Sequence, residues 1–347
     1  MQNDPNAPRY SRQVLFPPIG EAGQRRLLES TVVLVGCGAL GASLGEQMAR
    51  AGVGRLRLID RDVVEESNLG RQALYTAQDA ADHLPKAAAL AGHLEEFNPD
   101  ITVEPRVSDL NASTIRDLLD GADLVLDGCD NFDTRYLLND WCVSSGRPWV
   151  YGACVASRGL TAVIVPGQTP CLRCLFPEPP PAGAAETCDT SGIIAPAATV
   201  VAALQAAEAI KILTGNLEAV RPTLFSIELW PFRIFEFGGK DPSPRADCTC
   251  CGKREFVWLD TTDRARVLTY CGRDAVQVVP ASRGRAFDLD AVERRLAPSF
   301  AVRRNAYVLK VEVPDHTLTV FDDGRALISG TGDADRARAL YDQYVGS

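Results

Sequence analysis

Histidine is scarce in this chain of 347 residues, which contains only His83, His93 and His316. A Ser-His-Asp hydrolase needs a histidine as its general base, so that class of enzyme is poorly supported. An excess of basic charge is missing as well, since the formal net charge is −9. Nucleic-acid-binding proteins usually need a basic face, and the acidic balance therefore argues against nucleic acid as a partner.

Long uninterrupted apolar segments are also absent. Residues 1–10 are polar and include proline, so we expect no secretory signal there. The longest apolar helix candidate, 193–213, contains Gln205, Glu208 and Lys211, and we predict that it does not span a membrane. Without an export signal, the eleven cysteines are expected to be reduced thiols or metal ligands rather than disulfides, in a cytoplasmic protein.

Strands alternate with helices through the first half of the chain, and a hydrophobic fraction of 46% supports a real core. The predicted strands are 31–36, 55–60, 101–107 and 123–127, and the predicted helices are 23–29, 39–51, 86–96 and 113–119. Such alternation indicates a mostly parallel sheet covered on both faces. We therefore predict an α/β fold with a Rossmann-like, doubly wound sheet.

The pattern changes in the second half of the chain. Expected next are neighbouring strands 149–153 and 160–165, a helix 195–214 that Gly215 ends, and one or two strands within 224–237. From about residue 255 the predicted helices are 288–296 and 333–344, and the predicted strands are 275–279, 306–313 and 318–321. We predict an α/β domain at 1–254 and a small α+β domain of unknown role at 255–347.

Gly36-Cys-Gly-Ala-Leu-Gly41 lies between the strand 31–36 and the helix 39–51. Its glycines Gly36, Gly38 and Gly41 permit a tight turn whose N–H groups approach a phosphate, helped by the positive end of the helix. Asp60 ends the next strand, where an acid can accept hydrogen bonds from ribose hydroxyls. We predict a nucleotide site. The alternative is a turn whose glycines only permit close packing, and the turn alone does not separate NAD from ATP.

Polar side chains downstream of the ribose-binding acid favour a triphosphate. Asn68, Arg71 and Lys86 supply the several donors that a leaving pyrophosphate needs. Asp127 and Asp130 follow the end of a predicted strand, where open α/β sheets bind ligands, and two acids there could hold Mg²⁺. Each charge alone could be a solvated surface residue, but their joint position argues against that. A carboxylate nucleophile needs no general base, so positioning and electrostatics would carry catalysis.

Two pairs of cysteines have the spacing of a metal site. Cys171 and Cys174 form one CxxC pair, and Cys248 and Cys251 form another 77 residues later. Four thiolates can make a closed tetrahedral zinc site, which is structural because no coordination position remains for water. The alternatives are two redox pairs or buried free thiols. Cys250 leaves the ligand register of the second pair open.

Several motifs in a fixed order carry a family resemblance. They are Arg9-Tyr-Ser-Arg-Gln13, Gly36-Cys-Gly-Ala-Leu-Gly41, Asp60-Arg-Asp62, Ser67-Asn-Leu-Gly-Arg-Gln72 and Asp127-Gly-Cys-Asp-Asn-Phe132. Together they look like the MoeB/ThiF/HesA family, bacterial relatives of the adenylation domain of the ubiquitin-activating enzyme. The resemblance covers roughly residues 7–255, and it favours Cys248 and Cys251 as the second pair of zinc ligands.

The resemblance implies a homodimer that binds ATP at each glycine turn. Asp130 would position Mg²⁺, and Arg12 resembles the family arginine that reaches the partner subunit's nucleotide. One departure stands directly before the phosphate-binding lysine, where this chain has Leu84-Pro85 and relatives often carry glycine. The implied nucleotide contacts are Asp60 at the ribose and Asn68, Arg71 and Lys86 at the phosphates.

The resemblance also implies a substrate and a reaction. A ubiquitin-like sulfur-carrier protein ending in Gly-Gly would attack the α-phosphate of ATP and release pyrophosphate, and a separate donor would then supply sulfur. In some relatives a cysteine at the position of Cys188 bonds covalently to the carrier, whereas in others it is dispensable. Cys188 is therefore a candidate catalytic thiol, and the alternative is that it is a loop residue without a catalytic role. The remaining cysteines are expected to pack in the interior: Cys37, Cys129, Cys142, Cys154 and Cys271.

Three other functions remain open on the sequence. Adenylation of a tRNA-linked carboxylate or of a peptide would use the same site. An NAD-dependent oxidoreductase explains the glycine turn but leaves Arg12, Arg71, Asp130 and the cysteine pairs without a purpose. A non-catalytic scaffold is the third, and the presence of both arginines argues against it.

Overall fold

The computed structural model describes residues 4–180, 186, 188–238, 242–260, 267–269, 274–280 and 287–346, with the backbone alone for 188–189 and 267–269. The chain forms two compact units. The larger comprises Met1–Ala81 and Lys86–Thr261, and the smaller comprises Asp82–Pro85 and Thr262–Ser347. The smaller unit is thus formed by two segments that are separate in the sequence.

The larger unit is built on an eight-stranded sheet with the order β3-β2-β1-β4-β5-β6-β7-β8. Strands β3, β2, β1, β4 and β5 are parallel, and β6, β7 and β8 continue the sheet in antiparallel pairs. This confirms the predicted doubly wound α/β fold. The strands are β1 (Thr31–Val35), β2 (Arg55–Asp60), β3 (Thr102–Val107), β4 (Leu124–Asp127), β5 (Trp149–Val155), β6 (Arg158–Ile164), β7 (Leu224–Leu229) and β8 (Phe232–Phe237).

Helices connect these strands. They are α1 (Ser11–Val14), α2 (Gly20–Glu29), α3 (Ala39–Ala51), α4 (Ala77–Ala81), α5 (Lys86–Phe97), α6 (Ile115–Leu119), α7 (Phe132–Ser145), α8 (Leu172–Leu175), α9 (Cys188–Ser191) and α10 (Ala195–Thr214). Three short 3₁₀ segments are Pro8–Tyr10, Glu66–Asn68 and Leu217–Ala219. The helix α7 was not predicted, and the segment 224–237 resolves into two strands, β7 and β8.

Strand β1 shows why the centre of the sheet forms where it does. Its sequence is Thr-Val-Val-Leu-Val, rich in β-branched residues, and its last four residues are buried. Strand β2 lies on one side of β1 and β4 lies on the other. The chain connections leave β1 and β4 in opposite directions, which opens a crevice at the carboxyl ends of these two strands, the usual ligand position in such sheets.

Helix α10 is the one helix in the described part of the chain that is long and apolar enough to cross a membrane, judged by length and composition alone. It packs instead as a core helix against β5 and β6. Its buried Gln205 donates to the carbonyl oxygens of Asp127 and Val150, at 2.9 and 3.1 Å. Glu208 accepts from Lys211 Nζ at 2.8 Å and from Arg221 N at 3.0 Å. These polar contacts tie the helix to its own unit.

The smaller unit contains a six-stranded antiparallel sheet with the order β11-β12-β13-β14-β10-β9. Its core includes Val276, Leu309, Leu318, Ile328 and Leu340. A hairpin turn at 322–324 joins β13 to β14. The elements are β9 (Val267–Thr269), β10 (Ala275–Val278), α11 (Leu289–Leu296), β11 (Ala301–Arg304), β12 (Val308–Val313), β13 (His316–Phe321), β14 (Ala326–Ser329) and α12 (Ala334–Tyr344).

Residues 82–85 belong to this smaller unit through contacts with β12 and the turn before it. Asn305 Nδ2 donates to the carbonyl oxygen of Asp82 at 2.9 Å. Lys310 Nζ lies 2.9 Å from His83 Nε2, a ring nitrogen that can accept only in the neutral imidazole. The Leu84-Pro85 departure noted in the sequence therefore falls inside the smaller unit.

Candidate functional site

The glycine turn connects the end of β1 to the start of α3. Gly36 has φ 87°, and a Cβ atom there would lie 2.6 Å from the carbonyl oxygen of Gly128. A Cβ atom on Gly41 would lie 1.9 Å from the carbonyl oxygen of Gly36. Both glycines are thus required by packing. Gly38 is different, because its nearest neighbour would be Gln72 Nε2 at 3.9 Å. Close packing alone therefore does not account for the glycine at position 38.

Asp60 stands at the end of β2 beside this turn. Its Oδ2 accepts from Cys37 N at 2.7 Å, and its Oδ1 accepts from Asp62 N at 2.7 Å. Burial raises the pKa of the Asp60 carboxyl, and the nearby Lys86 ammonium opposes that rise. Each carboxylate oxygen keeps a further lone pair that can accept from a ligand hydroxyl. Asp60 therefore fixes the glycine turn and also offers hydrogen-bond acceptors to a ligand beside it.

Lys86 begins α5, and its side chain is buried near the same turn. Its Nζ lies 3.0 Å from Asp62 Oδ2. The hydroxyl of Tyr75 lies 2.6 Å from the carbonyl oxygen of Cys37 and 3.2 Å from that of Lys86. Neither Asp62 nor Tyr75 was predicted as a site residue. Asp62 could have been found from its motif with Asp60, but nothing local marks Tyr75.

The predicted phosphate contacts Asn68 and Arg71 lie on one short segment. Asn68 is buried, and its Oδ1 accepts from Glu65 N at 3.2 Å, which caps the 3₁₀ segment. Arg71 Nη1 donates to the carbonyl oxygen of Ser67 at 2.8 Å. Gln72 is buried near Gly38, and its Oε1 meets no donor among the described residues. A buried amide oxygen without a donor suits a ligand that donates there.

The two predicted Mg²⁺ acids at the end of β4 have different environments. Asp130 is exposed, and its Oδ1 lies 3.4 Å from Asn131 Nδ2. Asp127 is fully buried and accepts from Arg135 Nε at 3.1 Å and from Cys129 N at 2.8 Å. Burial raises the pKa of the Asp127 carboxyl, and Arg135 opposes the rise. Asp127 is thus engaged in holding the turn, and Asp130 alone is open to a metal ion.

Arg12 lies away from this turn within its own chain. It is exposed on α1, and the adjacent Gln13 donates to the carbonyl oxygen of Ala51 at 2.9 Å. Ala51 is the last residue of α3, whereas the glycine turn is at the first. A 13-residue helix is about 20 Å long, which is more than an arginine side chain spans. The exposed Leu15 and Phe16 lie three and four residues after Arg12.

The two CxxC pairs meet in space. The Sγ atoms of Cys171, Cys174, Cys248 and Cys251 all lie within 4.8 Å of one another. Cys171 and Cys248 are 3.6 Å apart, and Cys174 and Cys251 are 3.3 Å apart. Tetrahedral zinc with sulfur at about 2.3 Å sets sulfur atoms about 3.8 Å apart, so these four residues fit zinc.

Crowding and burial raise the pKa of thiols in this cluster. The hydrogen bond with Cys171, followed by burial, raises the pKa of Cys174 to about 12. Burial, followed by contact with Cys174, raises the pKa of Cys251 to about 12. Such thiols stay protonated near neutral pH unless a metal ion displaces the protons. Binding of zinc would therefore release the thiol protons and join the two CxxC pairs through one metal ion.

The other cysteines separate into distinct environments. Cys250 is buried and accepts from Asn139 Nδ2 at 3.2 Å, outside the group of four sulfur atoms. Cys37 and Cys142 are buried, and Cys129 and Cys154 are partly buried. Cys271 lies outside the described residues. Cys188 begins α9, but its side chain is outside the described part of the chain, so its predicted catalytic role stays a prediction.

A glycine turn at the switch point of a doubly wound sheet, flanked by an acid and a buried lysine, defines a class of nucleotide-binding α/β proteins. The four-cysteine cluster narrows that class. The chain belongs to the ThiF family, whose profile matches residues 10–250. This confirms the resemblance that the motifs indicated.

Individual relatives agree with this membership. The chain is 43% identical over 339 residues to the sulfur carrier protein ThiS adenylyltransferase of Bacillus subtilis, covering 97% of this chain and 99% of that protein. It is 40% identical over 245 residues to the SAMP-activating enzyme E1 of Haloferax volcanii, covering 71% and 88%. A crystal structure of E. coli MccB with MccA-N7isoASN matches with a TM-score of 0.62 at 25% identity, covering 72% and 76%. The similarity to the Bacillus protein thus extends into the smaller unit.

The geometry of the thiol cluster separates Cys248 from Cys250 in a zinc measurement. We expect Cys248→Ser to lower bound zinc from one ion per chain to well below half, because it removes one of four ligands. Cys250→Ser should keep one zinc ion, because Cys250 bonds to Asn139 instead. Metal content of purified protein, measured by mass spectrometry, decides the matter. Loss of zinc in Cys250→Ser with retention in Cys248→Ser would contradict the assignment.

Proposed function

We propose that this protein is an adenylyltransferase that uses ATP and Mg²⁺ to activate the C-terminal Gly-Gly carboxylate of a ubiquitin-like sulfur-carrier protein. The observation that carries the proposal is the open space over Gly38, bordered by Asp60 and Gln72 at a helix N-terminus. The names of the Bacillus and Haloferax relatives support a sulfur carrier or related small protein as the substrate. The adenylation domain would be residues 1–254.

Each side chain would act on a defined part of ATP. Asp60 accepts hydrogen bonds from the ribose, and the N–H groups of the turn and of the start of α3 face the phosphates. Lys86 Nζ, which lies 3.0 Å from Asp62 Oδ2, has three N–H donors and can therefore also bond to a phosphate oxygen. Asn68 and Arg71 contact the phosphates from the neighbouring segment. Asp130 positions Mg²⁺, which would neutralise charge on the departing pyrophosphate.

The reaction follows from this arrangement. A carboxylate oxygen of the carrier attacks the α-phosphorus of ATP, a carboxyl–phosphate bond forms, and the bond to the β-phosphate oxygen breaks. The products are the carrier acyl-adenylate and pyrophosphate. The carrier carboxylate is already ionised at neutral pH, so no side chain has to remove a proton. The protein contributes alignment of the two reactants and stabilisation of the charge on the leaving group.

Other features of the proposal concern the cellular setting. A cytoplasmic location fits reduced thiols at a zinc cluster. Sulfur would come from a separate donor, since nothing in the smaller unit marks a sulfurtransferase site in the residues that the structure describes. Cys188 is the candidate thiol for covalent transfer once the acyl-adenylate has formed. These three points remain proposals alongside the pathway that the carrier serves.

The carrier-dependent exchange of labelled pyrophosphate into ATP tests the function. We expect exchange with one small protein ending in Gly-Gly, and a loss of about a hundredfold or more in Arg71→Ala and Asp130→Ala, which remove charge stabilisation of the leaving group. The exposed residues Arg25 and Asp133 provide matched controls as alanine variants. ATP binding without exchange, across a panel of such carriers, would contradict carrier adenylation and favour a tRNA-linked or peptide carboxylate, or a scaffold.

Arg12 is proposed to act on the partner subunit's nucleotide in a homodimer. Its position at the far end of α3 supports this, and the exposed Leu15 and Phe16 beside it suit burial in a subunit interface. An arginine acting across a two-fold interface makes each site a composite of both chains. Two defective chains with different lesions can then form one intact site.

Mixing variants tests this arrangement. Arg12→Ala and Arg71→Ala should each be nearly inactive alone. After unfolding and refolding together at equal amounts, we expect about a quarter of the wild-type exchange activity, because half of the dimers are mixed and each has one intact site. Separate refolding of each variant is the control. Absence of recovery despite mixed dimers, verified with two affinity tags, would mean that Arg12 acts within its own chain.

Strand β8 is the surface we propose for carrier docking. It is the last strand of the sheet, and all six of its residues are exposed, including Phe232, Ile234 and Phe235. Trp230 before it is 80% exposed. An exposed apolar strand at a sheet edge marks a protein interaction site, because it would otherwise invite aggregation. The carrier is the protein that the proposed reaction requires.

A substitution on β8 should affect the carrier and not ATP. We expect Phe232→Ser to raise the KM for the carrier about tenfold, the usual effect of losing an aromatic anchor, while the KM for ATP stays unchanged. Leu217→Ser, at another exposed apolar residue, is the control and should change neither. Equal KM values for the carrier in Phe232→Ser and wild type would remove β8 from the docking surface.

A further inference from the structure

Helix α7 carries polar side chains on a face that is buried. Arg135 and Asn139 are four residues apart, so they project from the same side of the helix one turn from each other. Both are buried in the larger unit. Buried polar groups of this kind are tolerated only where they bond to other parts of the protein. Their partners lie at two separate places.

Arg135 bonds to the turn that follows β4. Its Nε lies 3.1 Å from Asp127 Oδ2, and its Nη2 donates to the carbonyl oxygens of Cys129 and Gly152, at 2.5 and 3.1 Å. The planar guanidinium of Arg135 therefore fixes the residues that precede Asp130 in the sequence. The position of Asp130 depends on this turn, because within the described ranges of the chain its one polar contact is with Asn131 Nδ2, at 3.4 Å.

Asn139 bonds to both halves of the thiol cluster. Its Oδ1 accepts from Leu172 N at 2.8 Å, between the ligands Cys171 and Cys174. Its Nδ2 donates to the sulfur of Cys250 at 3.2 Å, between the ligands Cys248 and Cys251. One amide thus spans the two CxxC segments that zinc would also join. Asn139 and the metal ion hold the same two loops.

We propose that Arg135 and Asn139 are positioning residues that couple the four-cysteine cluster to the turn carrying Asp130, so that binding of ATP with Mg²⁺ and retention of zinc stabilise each other. This rests on the proposed function, in which Asp130 positions Mg²⁺. A rigid helical turn joins the two clamps, so order imposed at one end reduces the freedom left at the other. Coupling of binding free energies is reciprocal. Binding of ATP with Mg²⁺ should therefore slow the loss of zinc, and a disturbed cysteine cluster should weaken the binding of ATP with Mg²⁺.

The first arm of the test measures zinc loss from the zinc-loaded protein. A chromogenic chelator reports the rate with and without ATP and Mg²⁺. We expect ATP with Mg²⁺ to slow zinc loss about tenfold in the wild type and in Ser144→Ala, a control on the same helix whose hydroxyl bonds only to Trp141 O of that helix. In Asn139→Leu the slowing should disappear, because both bonds to the CxxC segments are gone.

The second arm measures ATP binding by fluorescence as Mg²⁺ is varied. Asn139→Leu is expected to raise the Mg²⁺ concentration for half-maximal ATP binding several-fold, although it lies beside the cysteines. If Asn139→Leu does not fold, Arg135→Lys, which keeps the charge but not all the carbonyl contacts of Arg135, should give the same loss of slowing. A residue with a merely structural role would lower stability without changing the Mg²⁺ dependence.

The outcomes separate the coupling from the proposed function. ATP binding together with an unchanged rate of zinc loss in the wild type overturns the coupling and leaves adenylation standing. Equal slowing of zinc loss by ATP in the wild type, in Asn139→Leu and in Arg135→Lys also overturns the coupling. Absence of ATP binding by the wild type overturns the proposed function and this inference with it.

Discussion

The ion pair between Arg135 and Asp127 is the contact on which the nucleotide end of the sheet depends. Burying two charges is expensive unless every polar atom around them is satisfied. Here the Asp127 carboxylate also accepts from Cys129 N, and the guanidinium also reaches two carbonyl oxygens. The pair thereby fixes the turn after β4 at the place where Gly128 touches Gly36. A change in the turn after β4 would alter the glycine turn directly, because no side chain lies between the two backbones.

Local patterns explain the elements that the sequence predicted well. Helix α10 matches its predicted bounds because its mostly apolar sequence continues to Gly215, which takes the left-handed conformation at the end of the helix. The strands β1 and β4 are recognisable because parallel strands buried on both faces are almost continuously apolar, whereas β2 alternates arginine with leucine before Ile59. Helix α7 lacked such a signal. Its buried face carries Arg135, Asn139 and Asp140, which bond to other segments of the chain, so no apolar stripe could be read.

The candidate site likewise has features that the sequence predicts and features that only the folded chain shows. The glycine turn and Asp60 were predictable because their spacing is local and the chemistry of each residue is fixed by its neighbours. The engagement of Asp127 by Arg135, the contact of Lys86 with Asp62 and the placement of Gln72 beside Gly38 required the folded chain. The choice between Cys248 and Cys250 likewise depends on which sulfur faces three others, a property of distance rather than of spacing in sequence.

The smaller unit includes residues 82–85 as well as residues from 262 onward, and this has a consequence for its removal. A domain attached only at a terminus can be cut away without taking contacts from the chain that precedes it. Here Asn305 donates to the carbonyl oxygen of Asp82, and Lys310 Nζ lies 2.9 Å from His83 Nε2, in the segment that leads directly into Lys86. Removal of residues 262–347 would therefore take these two partners away from the chain just before a proposed phosphate contact.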